Sequence, residues 1–317
     1  MHEHDVLTTI LNMPESSDPR VLIGPGDDLA CVAPVPPEGG IAGAPRVLVG
    51  VDQVVDGLHI NADTVSWDRI GHKAIHRALS DVAAMAGRPL ATVATALIPV
   101  GASKSDVDAL CRGLFEAAAT CRAPLVGGDV AVHHDTAGPL TITVTALGVP
   151  SGTPVCRSGA QVGDQLVVTG VLGGSLQSNG QGHHLDFRPR LAEGVLLQAI
   201  FGRDLHAMID ISDGLGRDAG RLAEASGLHV TIDAKAIPLR SDATWQQGLG
   251  DGEVYELLMA VGGDALVPES LGGGDGACGV RVIGTFLAID ADQPLVTVRT
   301  PEGESIDGSQ AGWDHGQ

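Results

Sequence analysis

Acidic side chains placed at the ends of short apolar runs are the chemistry-bearing feature of this sequence. In the stretch HAMIDISDGL (206–215), Ala207, Met208, Ile209 and Ile211 form an apolar run. Asp210, Ser212 and Asp213 are set into and just after it, before Gly214 and a helical pattern from Leu215. A buried strand that ends in two carboxylates and opens a helix is a place where cations or phosphates are held. Helix capping would account for Asp213 or Ser212, because a cap uses one side-chain oxygen. It accounts poorly for Asp210, which precedes the cap within the apolar run. The theme recurs at Gly24-Pro25-Gly26-Asp27-Asp28 after Val21-Leu22-Ile23, at Val49-Gly50-Val51-Asp52, and at Leu125-Val126-Gly127-Gly128-Asp129. Asp81 sits inside a helical pattern. Two carboxylates ~4 Å apart repel by about 4 kcal/mol at an effective dielectric near 20. Convergence of these acids therefore requires bound cations, and hard oxygen ligands point to Mg²⁺.

The elements that must carry these residues follow from hydrophobic periodicity. A short helix is expected over residues 5–12, strands at Arg20–Ile23 and Leu29–Ala33 around the GPGDD turn, and a surface loop over Pro34–Pro45. Arg46–Asp52 reads as a strand and Ser66–Ala86 as a helix, with Ile70, Ala74, Ala78, Val82 and Met85 at helical spacing. A strand at Leu90–Ile98, a helix at Ser105–Cys121 and strands at Pro124–Gly127 and Leu140–Leu147 follow, the last alternating apolar residues with threonines. The turn-rich segment Gly148–Gly163 divides the chain into domains of residues 1–150 and 151–317. The second half reads as a strand at Gln165–Thr169, a Gly-rich loop to residue 182 and a helix at Leu191–Phe201. The DISDGL unit comes next, then strands at His229–Ile232, Val254–Val261, Val280–Phe286 and Leu295–Val298. Strand, acidic turn and helix thus recur in both halves of an α/β chain.

Composition narrows the function classes. The 317 residues can bury a substantial core, and 44 glycines with 3% aromatics suit a loop-rich α/β enzyme. A formal net charge of −20, with Lys73, Lys104 and Lys235 as the lysines, argues against nucleic acid and anionic membranes as partners. Anionic small molecules remain open if metals bring positive charge. The cysteines Cys31, Cys111, Cys121, Cys156 and Cys278 form no CxxC pair or zinc spacing, which fits a reducing, cytoplasmic compartment. The N-terminus lacks a basic region followed by an apolar core, so no signal peptide is expected, and no apolar run has the length of a membrane span.

Other patterns carry less. GDGACG (274–279) satisfies GxGxxG by letter, but no strand immediately precedes it and a strand follows it, so a turn is expected rather than a dinucleotide site. GxxxxGK[ST], GxSxG, HExxH and the protein-kinase motifs are missing, and no covalent nucleophile is expected. His72 and His76 share a helical face but read as solvated or core histidines. His183 and His184 lie in the Gly-rich loop, where ligand contact and a plain polar loop are both open.

The ordered set GPGDD (24–28), VDQVVDGLHI (51–60), ALSDVAAMAGRP (78–89), GGD (127–129), RSGAQVGD (157–164), DISDGL (210–215), GEVYELL (252–258) and GWDH (312–315) spans nearly the whole chain. It resembles the thiamine-monophosphate kinases, in the superfamily that includes aminoimidazole ribonucleotide synthetase and selenide, water dikinase. The resemblance implies an N-terminal α/β domain whose strands pair across a homodimer, and a C-terminal α/β domain closing an ATP cleft. It implies transfer of the γ-phosphoryl group of ATP to thiamine monophosphate. By motif position it implies Asp27, Asp52, Asp81, Asp129 and Asp210 as Mg²⁺ ligands, with Asp213 and, after it, Asp28 as additional candidates, and Gly128, Asp129, Arg157 and Ser212 as ATP contacts. His59, Glu253 and Trp313 are implied as the thiamine-phosphate pocket, with Trp313 stacking on the thiamine rings. Because the acceptor is an ionised phosphate, direct in-line transfer without a strong base is expected. Gly50, Val51, Ala78 and Val254 depart from the family pattern, which usually has hydroxyl residues, Asn and an acid there. The alternatives are a superfamily enzyme acting on another small phosphate or acid, and a nucleotide-binding relative without catalysis.

Overall fold

The computed structural model describes residues 18–33, 46–134, 138–272, 277–290 and 292–313. The helix expected over 5–12, the loop over 34–45, much of the GDGACG turn and the last two residues of GWDH lie outside them.

The first half builds one sheet from β1 (Val21–Ile23), β2 (Ala30–Val32), β3 (Val47–Val55), β4 (Gly87–Ile98), β5 (Leu125–Val132) and β6 (Thr141–Pro150), in the order β1-β2-β3-β6-β4-β5. Only β4 and β5 run parallel. They are joined by α2 (Lys104–Thr120), which starts at a capping box between Ser103 and Asp106. Helix α1 (Trp67–Ala84) lies against this sheet and α2. Its buried stripe of Ile70, Ala74, Ile75, Ala78, Leu79 and Val82 packs with Leu48, Ile142 and Val144. The helix stops two residues before the expected Ala86, because Ala86 takes a left-handed φ of 52° and the chain turns directly into β4.

The second half builds β7 (Gln165–Thr169), β8 (Leu205–Asp210), β9 (Leu228–Asp233), β10 (Leu257–Val261), β11 (Ser270–Leu271), β12 (Cys278–Ala288), β13 (Val296–Arg299) and β14 (Ser305–Asp307). The sheet order is β14-β13-β9-β12-β7-β10-β8, with β11 paired to β12. Helices α3 (Leu191–Phe201), α4 (Leu215–Ser226) and α5 (Trp245–Gly250) complete it. One face of the sheet packs on α4 through Leu215, Ala219, Leu222 and Ala223. The other packs Met208, Met259 and Leu197 against Ala83, Ala84 and Ala86 at the end of α1. Helix α1 therefore belongs to the core of the first sheet along its length and to the second sheet at its end. A Cβ on Gly194 of α3 would lie 2.4 Å from the Ala83 carbonyl oxygen, so glycine there permits the close approach of the two helices.

Two local expectations are corrected. Gly127-Gly128-Asp129 is not a turn after a strand but the middle of β5, held in parallel register with Val93, Ala94 and Thr95. A Cβ on Gly128 would sit 1.8 Å from the Ala94 carbonyl oxygen, so strand packing by itself requires this glycine. The strand expected from Val254 starts only at Leu257, because Glu253 and Tyr255 both take left-handed φ values, 55° and 57°. Hydrogen bonds from Glu253 N to Ser212 O (2.6 Å) and from Tyr255 N to Ile211 O (2.8 Å) hold this segment against the DISDG turn. Such backbone strain in residues with side chains collects at functional sites.

Candidate functional site

Asp210 ends β8, an interior-facing strand whose last four residues are buried, and only 3% of Asp210 is exposed. Ser80 of α1 donates to Asp210 Oδ2 at 2.5 Å, which brings its neighbour Asp81 to the same place. Asp28 arrives from the turn between β1 and β2. Carboxylate oxygens of Asp28, Asp81 and Asp210 all lie within 4.8 Å of one another. Arg157 Nη2 donates to Asp28 Oδ1 at 2.9 Å, whereas Asp28 Oδ2 is buried with no hydrogen-bond partner. Burial, then repulsion by Asp28, raises the Asp210 pKa to about 7. Burial, then Asp210, Asp52 and Asp28, raises that of Asp81 well above the carboxylate range. Burial also raises that of Asp28, against the pull of Arg157. Three convergent carboxylates, one with an orphaned oxygen, fit a hard divalent cation, which supplies the charge these groups lack.

That arrangement makes stability depend on pH in a direction opposite to ordinary salt-bridged acids. The folded-state pKa values lie above the unfolded value near 3.8, so the stabilising protonated forms are lost as pH rises from about 4 through 7. Metal-free protein should melt at a lower temperature at pH 8 than at pH 5. MgCl₂ should raise the midpoint more at pH 8, because binding displaces fewer protons there. Equal shifts at both pH values, read by calorimetry, would count against a metal at this cluster.

The remaining acids have partners of their own. Asp27 accepts from Arg157 N at 3.2 Å on both oxygens and from Asp28 N at 3.0 Å, so it orients backbone beside the triad. Asp52 accepts from Arg77 Nε at 2.8 Å, so Arg77 pairs with Asp52 and not with Asp81 one turn along its own helix. Asp213 pairs with Arg221. Neither Ser212 nor Asp213 caps α4. Asp218 accepts the backbone N–H groups of Ser212, Asp213 and Gly214 at 3.0, 3.0 and 3.2 Å, and Arg221 Nη1 at 2.6 Å. Asp129 lies exposed on β5, with its Oδ1 accepting from Val130 N, and stands outside the triad.

A cavity of about 530 Å³ opens along the same DISDG turn, lined by Ser212 and Asp213, by His59, Glu253 and Trp313, and by Arg77, His184 and Asp251 among others. His59 Nδ1 accepts from Val55 N at 3.1 Å, which leaves the ring proton on Nε2. Trp313 is 51% exposed at the cavity edge. Behind the wall, Lys73 is fully buried, and its ammonium group donates to His59 O (2.7 Å), His184 Nδ1 (2.8 Å) and Glu253 Oε2 (2.7 Å). Burial would raise the Glu253 pKa, but His184, Lys73 and Arg77 outweigh it and bring it to about 2. Tyr255 stacks on Phe187 at 3.9 Å and directs its hydroxyl toward Glu253 Oε1 at 3.4 Å.

Sequence reasoning did not single out Lys73, Ser80, Asp218 or Arg221, and offered Arg77 only as a helix partner of Asp81 one turn later. The spacing of Lys73 and Arg77 by four on one helix was the available signal, but nothing linear named Glu253 as their common partner. Of the histidines, His184 is buried at the cavity, whereas His76 packs on Phe187 and donates to its carbonyl at 2.8 Å. Gly50 has a local reason: a Cβ there would meet Leu29 Cδ2 at 2.1 Å, and Leu29 is a buried core residue.

Comparison with known proteins places this geometry. Residues 26–150 match the N-terminal domain, and residues 161–261 the C-terminal domain, of AIR synthase related proteins. The chain is 32% identical over 254 residues to the thiamine-monophosphate kinase of Rhodopirellula baltica, covering 77% of each chain. It is 35% identical over 262 residues to that of Mycobacterium tuberculosis H37Rv, covering 75% of this chain and 74% of the other. The solved structure described as AaThiL complexed with AMPPCP and TMP superposes with a TM-score of 0.78 at 24% identity, covering 99% of this chain and 97% of that one.

Proposed function

The chain belongs to the thiamine-monophosphate kinase family of AIR synthase related proteins, and from that premise we propose that it transfers the terminal phosphoryl group of ATP to thiamine monophosphate, yielding thiamine diphosphate and ADP. One observation carries this reading to the site. The last residue of β8, Asp210, joins the acidic triad, and the turn after it supplies Ser212 and Asp213, two and three residues on, to the cavity. A cation-binding centre and a pocket for an organic acceptor therefore share one wall.

Within this reading Asp28, Asp81 and Asp210 hold Mg²⁺, with Asp27 and Asp52 beside them and Asp213 across the turn. Bound Mg²⁺ supplies neutralisation of charge on the phosphate oxygens. Arg157, fixed on Asp28, and Ser212 face the nucleotide phosphates. Gly128 and Asp129 occupy the exposed face of β5, and a single chain does not bring them to the triad. His59, Glu253 and Trp313 enclose the thiamine moiety, with the indole offered for stacking on its rings. The protein's task is then orientation and exclusion of water. The acceptor phosphate is ionised at neutral pH, so transfer is direct and in line, with no phosphoenzyme. The test is ADP release from Mg-ATP and thiamine monophosphate, with the product identified by mass. Absence of turnover on this acceptor, with turnover on another small phosphate, would sink the reading, and a kinetically competent phosphoprotein in rapid quench would sink the direct step.

We also propose a homodimer through β5. This edge strand exposes Val126, Val130 and Val132 at 64%, 65% and 56%, and an apolar edge of that kind is covered in stable proteins. Sedimentation equilibrium should read twice the 32.3 kDa chain mass. The five cysteines are all free thiols, which supports a reducing compartment such as the cytoplasm. No helix among the described residues is long and apolar enough to cross a membrane.

A further inference from the structure

Arg77 lines the cavity from α1, one turn before Asp81 of the acidic triad. On one side its Nε donates to Asp52 Oδ2 at 2.8 Å, and on the other its Nη1 reaches Glu253 Oε1 at 3.4 Å. The first is a strong charge-assisted bond; the second is too long to be one. Among the described residues, no protein group hydrogen-bonds to Nη2. The guanidinium fork is thus anchored at Nε and has donors to offer at its outer edge. That edge matches the geometry of a phosphate.

The charges around it sharpen the point. Arg77 is the only Lys or Arg among the described residues that line the cavity, whereas Asp213, Asp251 and Glu253 line it as acids. Lys73, one turn earlier, has its three ammonium hydrogens committed to His59 O, His184 Nδ1 and Glu253 Oε2. An anionic acceptor entering this cavity meets three acids, several neutral groups and one cationic side chain, Arg77. A neutral or cationic ring system needs no such counter-charge. Among the lining residues, discrimination for a phosphomonoester over the same molecule without its phosphate therefore rests on one charged side chain.

We propose that Arg77 is the specificity-determining contact that receives the acceptor's phosphate, exchanging its weak Glu253 contact for the phosphate while Asp52 keeps the fork in place. This rests on the thiamine-monophosphate reading of the cavity. It identifies Asp52 as a positioning residue for the guanidinium.

The test is calorimetric titration of the full chain, without ATP, with thiamine monophosphate and separately with thiamine. Wild type should prefer the phosphate form. Arg77→Gln should weaken thiamine monophosphate binding by roughly 10–100-fold, the worth of hydrogen bonds to a charged group. It should leave thiamine binding within about twofold, since uncharged contacts are unaffected. A purely structural role would weaken both ligands together, and that result overturns the proposal, as does unchanged binding of the phosphate form. If Arg77→Gln fails to fold, Arg77→Lys keeps a charge for Asp52 but loses the fork. Its preference ratio should fall below that of wild type, and an unaltered ratio overturns the proposal. Wild type that binds neither ligand sinks the reading of the cavity and this proposal with it; the Arg77 outcomes above sink the proposal alone.

Discussion

Asp210→Asn should lower kcat on thiamine monophosphate by about 10³-fold or more, while the metal-free protein melts at a higher temperature than wild type. Both effects follow from the same three oxygens. Asp210, Asp81 and Asp28 repel one another at close range, and burial adds to the cost of each charge. An amide removes one of those charges, and its oxygen still accepts from Ser80, whose hydroxyl sits 2.5 Å from Asp210 Oδ2. The folded apoprotein therefore gains. What is lost is a charged oxygen at the centre that neutralises the transferring phosphoryl group. The stabilising effect of MgCl₂ should shrink in parallel. Steady-state kinetics and calorimetry on one preparation check the pair of expectations. Near-normal turnover removes Asp210 from the reaction, and a lower apoprotein midpoint shows that the three acids are not in conflict.

Glu253→Ala should destabilise the fold by about 3–5 kcal/mol, the usual cost of removing one partner from a buried ion pair. Lys73 is wholly buried, and burial pushes its pKa down while Glu253, its principal counter-charge, raises it. Without that carboxylate, the ammonium group keeps only the His59 carbonyl and the His184 ring. The folded state then favours neutral Lys73, whose pKa falls further below the unfolded value. Sign follows directly: the penalty is full at neutral pH and shrinks as pH rises toward the ordinary lysine range. Urea titrations at pH 7 and pH 9.5 should show the larger loss at pH 7. The double variant Glu253→Ala/Lys73→Met should recover part of it, because no charge is left unpaired. Equal losses at both pH values would mean that backbone change at the left-handed residue 253, and not the buried amine, carries the effect.

Much of the architecture was legible because it is written in local periodicity. The stripe from Ile70 to Val82 marks α1, and the alternation from Thr141 to Leu147 marks β6. Misreadings cluster where the chain obeys a distant partner. Gly127-Gly128-Asp129 looks like a turn, yet parallel pairing with β4 extends it as strand. Val254–Glu256 looks like strand, yet hydrogen bonds from Glu253 N to Ser212 and from Tyr255 N to Ile211 hold those two residues left-handed and delay the strand to Leu257. Short elements such as α5 and β14 have too few residues for a period to show.

Residue order is enough to put acids at the ends of apolar runs and Asp81 on a helix, and to assign the ordered motifs to one family. Which acids meet is set by how the two sheets and α1 pack together. Asp28, Asp81 and Asp210 converge, while Asp52 and Asp213 are held by Arg77 and Arg221 and Asp129 stays exposed. The reason is physical. A carboxylate's role depends on what shares its low-dielectric surroundings, and those neighbours are 130 residues away for Asp210 and Ser80, and 129 for Asp28 and Arg157. Local pattern fixes where a side chain starts; long-range packing fixes what it faces.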